Sequence, residues 1–173
     1  MQKSELGSAI VETTKLKGQF ELRSGQISDT YFDKYRFEAD PHLLDVISDH
    51  MLPLIPEGTQ VLAGLELGGI PLATALSMKS GIPQVFVRKA RKEYGTKKLA
   101  EGPTFDGKRV TIVEDIITTG GAVKDGTKEL RNDGAIVDHV LCVILRAEET
   151  PEGLNALGLS VTPLFRLSEL PGA

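Results

Sequence analysis

The stretch Arg109-Val-Thr-Ile-Val-Glu-Asp-Ile-Ile-Thr-Thr-Gly-Gly-Ala-Val123 constrains this chain more than any other part of it. Val110, Ile112 and Val113 form an apolar run of the kind that makes a strand covered on both faces. Two adjacent acids, Glu114 and Asp115, end that run. Two threonines and two glycines follow, and a helical pattern starts at Ala122. Strand, polar loop and helix start is the order in which an α/β sheet presents a ligand site. Small residues let backbone N–H groups close around an anion, and a helix N-terminus adds positive potential. Two carboxylates beside such a cradle would repel a bare phosphate. They suit a ligand carrying vicinal hydroxyls as well as phosphate, that is, a ribose phosphate. An ordinary strand–turn–helix with a solvated acidic turn is the bland alternative, and the full order of residues favours the functional reading over it.

The same alternation runs through the rest of the chain. Glu5 to Lys15 reads as an amphipathic helix with Leu6, Ala9, Ile10 and Thr13 on one face, broken by Gly18. Phe20–Arg23 and Thr30–Asp33 read as short strands around a turn at 24–28. Asp40-Pro41 is a strong helix start, with Leu43, Leu44, Ile47, Met51 and Leu54 as its core stripe and Pro56-Glu-Gly58 as its end. Gln60–Ala63 is a strand, Pro71 opens a helix, and Gln84–Val87 is a strand. The helix after the acidic pair runs from Ala122 to Asp133, with Gly134 at its C-terminal glycine position. Ile136–Leu145 is a further strand, and 159–165 a last one. Repeated strand–helix order predicts a mainly parallel sheet flanked by helices, joined by right-handed crossovers.

At 173 residues the chain is expected to form one domain with a proper core. A net charge of −4 argues against a nucleic-acid surface. The single cysteine, Cys142, lies in an apolar strand and reads as a core residue suited to a reducing cytoplasm. No apolar signal core or membrane-spanning run is visible, so a soluble cytoplasmic protein is expected. His42, His50 and His139 lack ligand spacing and predict no metal site.

Three other segments are expected at the same sheet edge. Gly64-Leu-Glu-Leu-Gly-Gly69 joins a strand to a helix and offers a second anion loop, although a plain turn fits it equally well. Arg88-Lys-Ala-Arg-Lys-Glu-Tyr-Gly-Thr-Lys-Lys98 holds six cations in eleven residues. It reads as a mobile basic lid over a polyphosphate rather than as a solvated run. Arg146 follows a strand end, where a guanidinium can hold a planar carboxylate at two points. A surface arginine is the equal alternative.

Taken together these segments resemble the type I phosphoribosyltransferases, and among them the orotate phosphoribosyltransferases, over nearly the whole chain. The resemblance implies a central sheet with a small N-terminal hood at 18–37 and a mobile basic loop at 88–106 within one domain, 1–173. It implies a pentosyltransferase that uses Mg²⁺ to move the phosphoribosyl group of phosphoribosyl pyrophosphate (PRPP) to orotate. In that pattern Glu114 and Asp115 meet the ribose hydroxyls, and Ile116, Ile117, Thr118, Thr119, Gly120, Gly121 and Ala122 hold the 5-phosphate. Leu67 and Gly68 contact pyrophosphate; many relatives carry a lysine at position 68. Arg88, Lys89, Lys92 and Tyr94 bind PRPP, with Lys92, Glu114 and Asp115 catalytic, and Tyr94 stands where a histidine is common. Arg23, Tyr31, Phe32, Thr118 and Arg146 meet orotate. The basic loop is expected to serve the neighbouring subunit of a homodimer. A transferase for another base and a non-catalytic PRPP sensor are the alternatives, and the basic loop weighs against the sensor.

Overall fold

The computed structural model describes residues 1–21, 25–91 and 99–172. Helix α1 (Lys3–Thr14) leads into the antiparallel hairpin β1 (Lys15–Glu21) and β2 (Ile27–Phe32). Helices α2 (Tyr35–Ala39) and α3 (Pro41–Met51) follow, with a 3-10 turn at Leu52–Leu54. Then come β3 (Val61–Leu65), α4 (Gly69–Ser80), β4 (Gln84–Val87) and the two-residue strand β5 (Ala100–Glu101). The chain continues through β6 (Arg109–Ile117), α5 (Gly121–Asn132), β7 (Ile136–Leu145), α6 (Glu152–Asn155) and β8 (Ser160–Arg166).

The main sheet has the order β5-β4-β3-β6-β7-β8. All its pairings are parallel except that of β4 with β5. Each face carries its own core. On one face Leu6, Phe37, Ile47 and Leu72 bring α1, α2, α3 and α4 onto the sheet. On the other, Val123, Leu130 and Leu154 bring α5 and α6. Strands covered on both faces need apolar side chains in both directions, which is why β3, and β7 from Val140 to Leu145, read as continuous apolar runs.

The order of strands locates the ligand edge. β3 is followed by β4 on one side, whereas β6 is followed by β7 on the other. Between β3 and β6 the winding therefore reverses, and the loops after these two strands part to leave a crevice at their carboxyl ends.

Several elements depart from the sequence-based expectation. The strand bearing the acidic pair does not stop at Glu114. It stays paired with β7 through Ile116↔Ile144 and Ile117↔Leu145, because the apolar pattern resumes after the acids. Helix α1 ends at Thr14 and passes directly into β1, so Gly18 sits inside a strand, at a register irregularity between Lys17 and Phe20. The buried face of α1 is Leu6, Gly7, Ile10, Val11 and Thr14 rather than one including Thr13. Thr14 tolerates burial because its Oγ1 donates to the Ile10 carbonyl at 2.6 Å. Helix α4 begins at Gly69, two residues before Pro71. Helix α2 was not anticipated. The Asp40 cap stands as expected, accepting from the N–H groups of His42 and Leu43 at 2.9 and 3.0 Å. The last strand runs unbroken through Pro163, which an edge position allows.

Candidate active site

The acidic pair lies inside β6, where main-chain pairing fixes it, and not on a solvated turn. Asp115 is fully buried and Glu114 is 9% exposed. Helix α2 adds a third carboxylate, Glu38, at 6% exposure. Lys34, in the turn before that helix, places its Nζ 2.6 Å from Asp115 Oδ2.

The loop after β3 comes down on this cluster. A Cβ at residue 68 would lie 1.8 Å from Asp115 Oδ2 and 2.6 Å from Glu38 Oε1. A Cβ at residue 69 would lie 2.2 Å from the Val113 carbonyl oxygen. At residue 69 the opposing atom is main chain and only glycine fits with this backbone, whereas at 68 a side chain would have to displace the Asp115 and Glu38 carboxyls, so the expected anion loop and the acidic strand form one constellation. The Glu66–Leu67 peptide just before it is cis, and Leu67 projects into solvent.

Burial and charge sort the three acids. Burial raises the Glu114 carboxyl, and the Asp115 charge raises it further, to about 9. Glu38 is likewise raised by burial and by Asp115, to about 9. Burial also pushes Asp115 up, but hydrogen bonds from Glu38, Lys34 and the Ile116 N–H outweigh it and hold Asp115 below the ordinary carboxylate range. Burial lowers Lys34, yet its hydrogen bond and attraction to Asp115 leave it above the usual lysine value. Burial and mutual repulsion thus favour the protonated form of Glu38 and Glu114, while the Lys34 ammonium favours the charged form of Asp115. Glu38 Oε1, Glu114 Oε2 and Asp115 Oδ2 are buried oxygens that crowd one another, with Lys34 Nζ against the last. Buried polar oxygens of this kind are ready for a ligand's hydroxyls.

After Ile117 the chain turns through Thr118 and Thr119, both exposed, into Gly120. Gly120 has φ +78° and its missing Cβ leaves room for Leu154. It starts α5 without a side-chain cap. The first N–H groups of α5 are thus open to an anion, with Gly121 and Ala122 exposed.

Two cavities flank this turn. One, of about 670 Å³, has Tyr31 and Phe32 of the hairpin, Thr118, and Arg146 on its walls. Four of the five residues assigned to the base therefore meet in one place. Arg146 is held at the end of β7 by its N–H donating to the Ile117 carbonyl at 2.9 Å. The other cavity, of about 240 Å³, brings Arg88 and Lys89 to Ala122 and Glu66. Arg88 also pairs with Glu101 at 3.4 Å. Arg23, Lys92 and Tyr94 lie outside the described residues.

Lys34, Glu38 and Lys15, which also lines the larger cavity, were missed from sequence. The signal for the first two was available: Lys34 and Glu38 are four residues apart around Phe37, a buried anchor. Cys142 is buried as expected, and burial raises its thiol. His50 meets the Met1 carbonyl and His139 meets Asp138, and no metal-holding cluster occurs among the described residues. None of the described helices is long and apolar enough to cross a membrane.

Comparison with known proteins gives concordant results. The family model described as Phosphoribosyl transferase domain matches residues 42–155. The orotate phosphoribosyltransferase of a Nocardioides species is 52% identical over 168 residues, covering 97% of this chain and 94% of that protein. The crystal structure of the Mycobacterium tuberculosis orotate phosphoribosyltransferase in complex with Fe(III) dicitrate superposes with a TM-score of 0.87, at 31% identity and 99% coverage of both chains. The same enzyme in complex with PRPP superposes at 0.81, with 29% identity and coverage of 97% of this chain and 98% of that one.

Proposed function

This chain belongs to the orotate phosphoribosyltransferases, and from that premise and the geometry above we infer how it works. It is a pentosyltransferase of pyrimidine biosynthesis: PRPP and orotate give orotidine 5′-monophosphate and pyrophosphate. The bond from the anomeric carbon to the pyrophosphate oxygen breaks, and its electron pair leaves with pyrophosphate. A bond to the orotate ring nitrogen forms and the N–H proton is released. Positive charge develops on the sugar meanwhile, so the protein's work is to orient two anions and to stabilise the leaving one.

Each part of the crevice suits one part of that task. Asp115, the carboxylate held ionised, accepts from the ribose hydroxyls, and Glu114 adds a buried oxygen beside it. Thr118 to Ala122 and the uncapped start of α5 take the 5-phosphate. In this reading Leu67 and Gly68 take the pyrophosphate together with Arg88 and Lys89, which share a cavity with Glu66 and Ala122, and with Lys92 and Tyr94 of the same basic segment. Tyr31, Phe32 and Arg146 enclose the base, with Arg23 from the hood and Arg146 on the orotate carboxylate.

Mg²⁺ fits this donor set as an ion carried by PRPP oxygens and water. Among the described residues no group of three or more acidic, histidine or cysteine side chains could hold the ion directly, so the substrate's oxygens would carry it. When bound, the ion neutralises charge on the leaving pyrophosphate. The segment 18–37 acts as a hood over the base, and 88–106 as a basic loop that serves the neighbouring subunit of a homodimer. A buried lone cysteine and an acidic net charge fit a cytoplasmic enzyme that binds no nucleic acid.

The observation that carries this reading is the 670 Å³ cavity, which sets Arg146 and the hairpin aromatics beside the ribose-phosphate turn. A panel of orotate, uracil, hypoxanthine and adenine with PRPP and Mg²⁺ tests it. Product from orotate alone is expected; preference for a base lacking the carboxylate would remove the role given to Arg146.

A further inference from the structure

Lys34 touches both halves of the crevice. Its ammonium lies 2.6 Å from Asp115 Oδ2, and its side chain lines the base cavity with Arg146. Asp115 is fully buried, so bulk water cannot support its charge. From β6 itself it is faced by Glu114, from α2 by Glu38, and from β7 by the Cys142 thiol. None of these supplies positive charge, and the start of α4 presents only the backbone of Gly68. Among the described residues, Lys34 is the cation paired with Asp115.

We propose that Lys34 is a positioning residue for the transfer, holding the Asp115 carboxylate ready to accept the ribose hydroxyls of PRPP. The proposal rests on Asp115 as the ribose acceptor. Without the ammonium, three acids crowd one buried site and the proton distribution among them shifts. Asp115 would then spend more of its time as a neutral acid, and a neutral carboxyl accepts fewer hydroxyls than a carboxylate. Lys34 acts through Asp115, so its removal falls on PRPP rather than on the base, although its stem lies on the base wall.

The test compares Lys34→Met, Lys34→Arg and Asp115→Asn in steady-state kinetics over roughly pH 5 to 9, with thermal unfolding as the folding control. For Lys34→Met, kcat/KM for PRPP is expected to fall by up to about a factor of ten per unit of carboxyl shift at pH values below the displaced acid limb, and by much less above it. Losing a nearby cation raises a carboxyl's pKa, so the acid limb of the profile moves up by about 1–3 pH units. Lys34→Arg restores most of the activity and the position of that limb, a recovery that simple loss of packing does not predict. Lys34→Gln keeps a donor without the charge and gives the same comparison if Lys34→Met folds poorly. An unmoved acid limb with normal PRPP kinetics, or a loss confined to the orotate KM, overturns the proposal. If Asp115→Asn itself leaves PRPP use unchanged, the ribose reading fails, and the role of Lys34 with it. Harm from Asp115→Asn but not from Lys34→Met sinks the Lys34 role alone.

Discussion

At the scale of single residues the site is a problem of buried charge. Three carboxyl groups converge; burial and mutual repulsion push Glu38 and Glu114 up, and Lys34 holds Asp115 down. Glu38 holds its proton in the folded chain up to about pH 9, against an ordinary value of 4.5. Between those values the folded state binds a proton that the unfolded chain lacks, so this group's contribution weakens stability as pH rises. Glu38→Gln, a neutral isostere, is expected to raise Tm by roughly a few degrees near pH 8. The advantage should shrink as pH falls and vanish near pH 4.5. Unfolding curves across pH check this; an advantage that grows toward acid would mean that Glu38 is ionised when folded. Arg146 presents the opposite case, a cation awaiting an anion at the cavity wall. Losing a charged hydrogen bond costs on the order of 1.5–3 kcal/mol. Arg146→Ala is therefore expected to lose about ten- to a hundredfold or more in kcat/KM for orotate. Full activity in that variant would move the carboxylate contact elsewhere, most plainly to Arg23.

At the scale of elements, the active edge is made by how closely the start of α4 approaches β6. The missing Cβ of Gly69 leaves 2.2 Å to the Val113 carbonyl oxygen, so a side chain there must push two main chains apart. Gly69→Ala is expected to cost about 1–3 kcal/mol of stability, as overpacking does. Gly121, in the first turn of α5, has open space at the same distance. Gly121→Ala is expected to leave stability unchanged or slightly raised, because helical alanine is favoured over glycine. Denaturant unfolding of the pair gives the contrast, and equal losses would show that the approach of α4 to β6 is not what glycine serves. This contact also explains a sequence-level ambiguity. Gly64–Gly69 read equally well as a plain turn, because nothing local reveals which main chain lies opposite a glycine.

At the scale of the whole molecule, the basic loop's proposed service to a neighbouring subunit has a direct test. Lys92→Ala and Arg146→Ala chains, each of low activity alone, are mixed and allowed to exchange. A loop acting across subunits gives hybrid dimers one intact site, so random pairing restores about a quarter of wild-type activity. No recovery after verified exchange would confine the loop to its own subunit. What the sequence by itself determined is the sheet and its working edge. Apolar runs at 110–113 and 140–145 commit strands to a doubly covered sheet. Asp40, Gly120 and Gly134 set helix ends through capping and positive φ, which are local physics. The acid pair and the Thr-Thr-Gly-Gly turn, the proposed ribose-phosphate end, stand at that edge because a strand end, a polar loop and a helix start are likewise local. Only the tertiary structure decided that the acids lie inside the strand, because pairing of β6 with β7 overrides their polarity. Only it brought Lys34 and Glu38 onto Asp115, some eighty residues away along the chain. Proton placement in such a cluster depends on distance and burial, and neither is written in the order of residues.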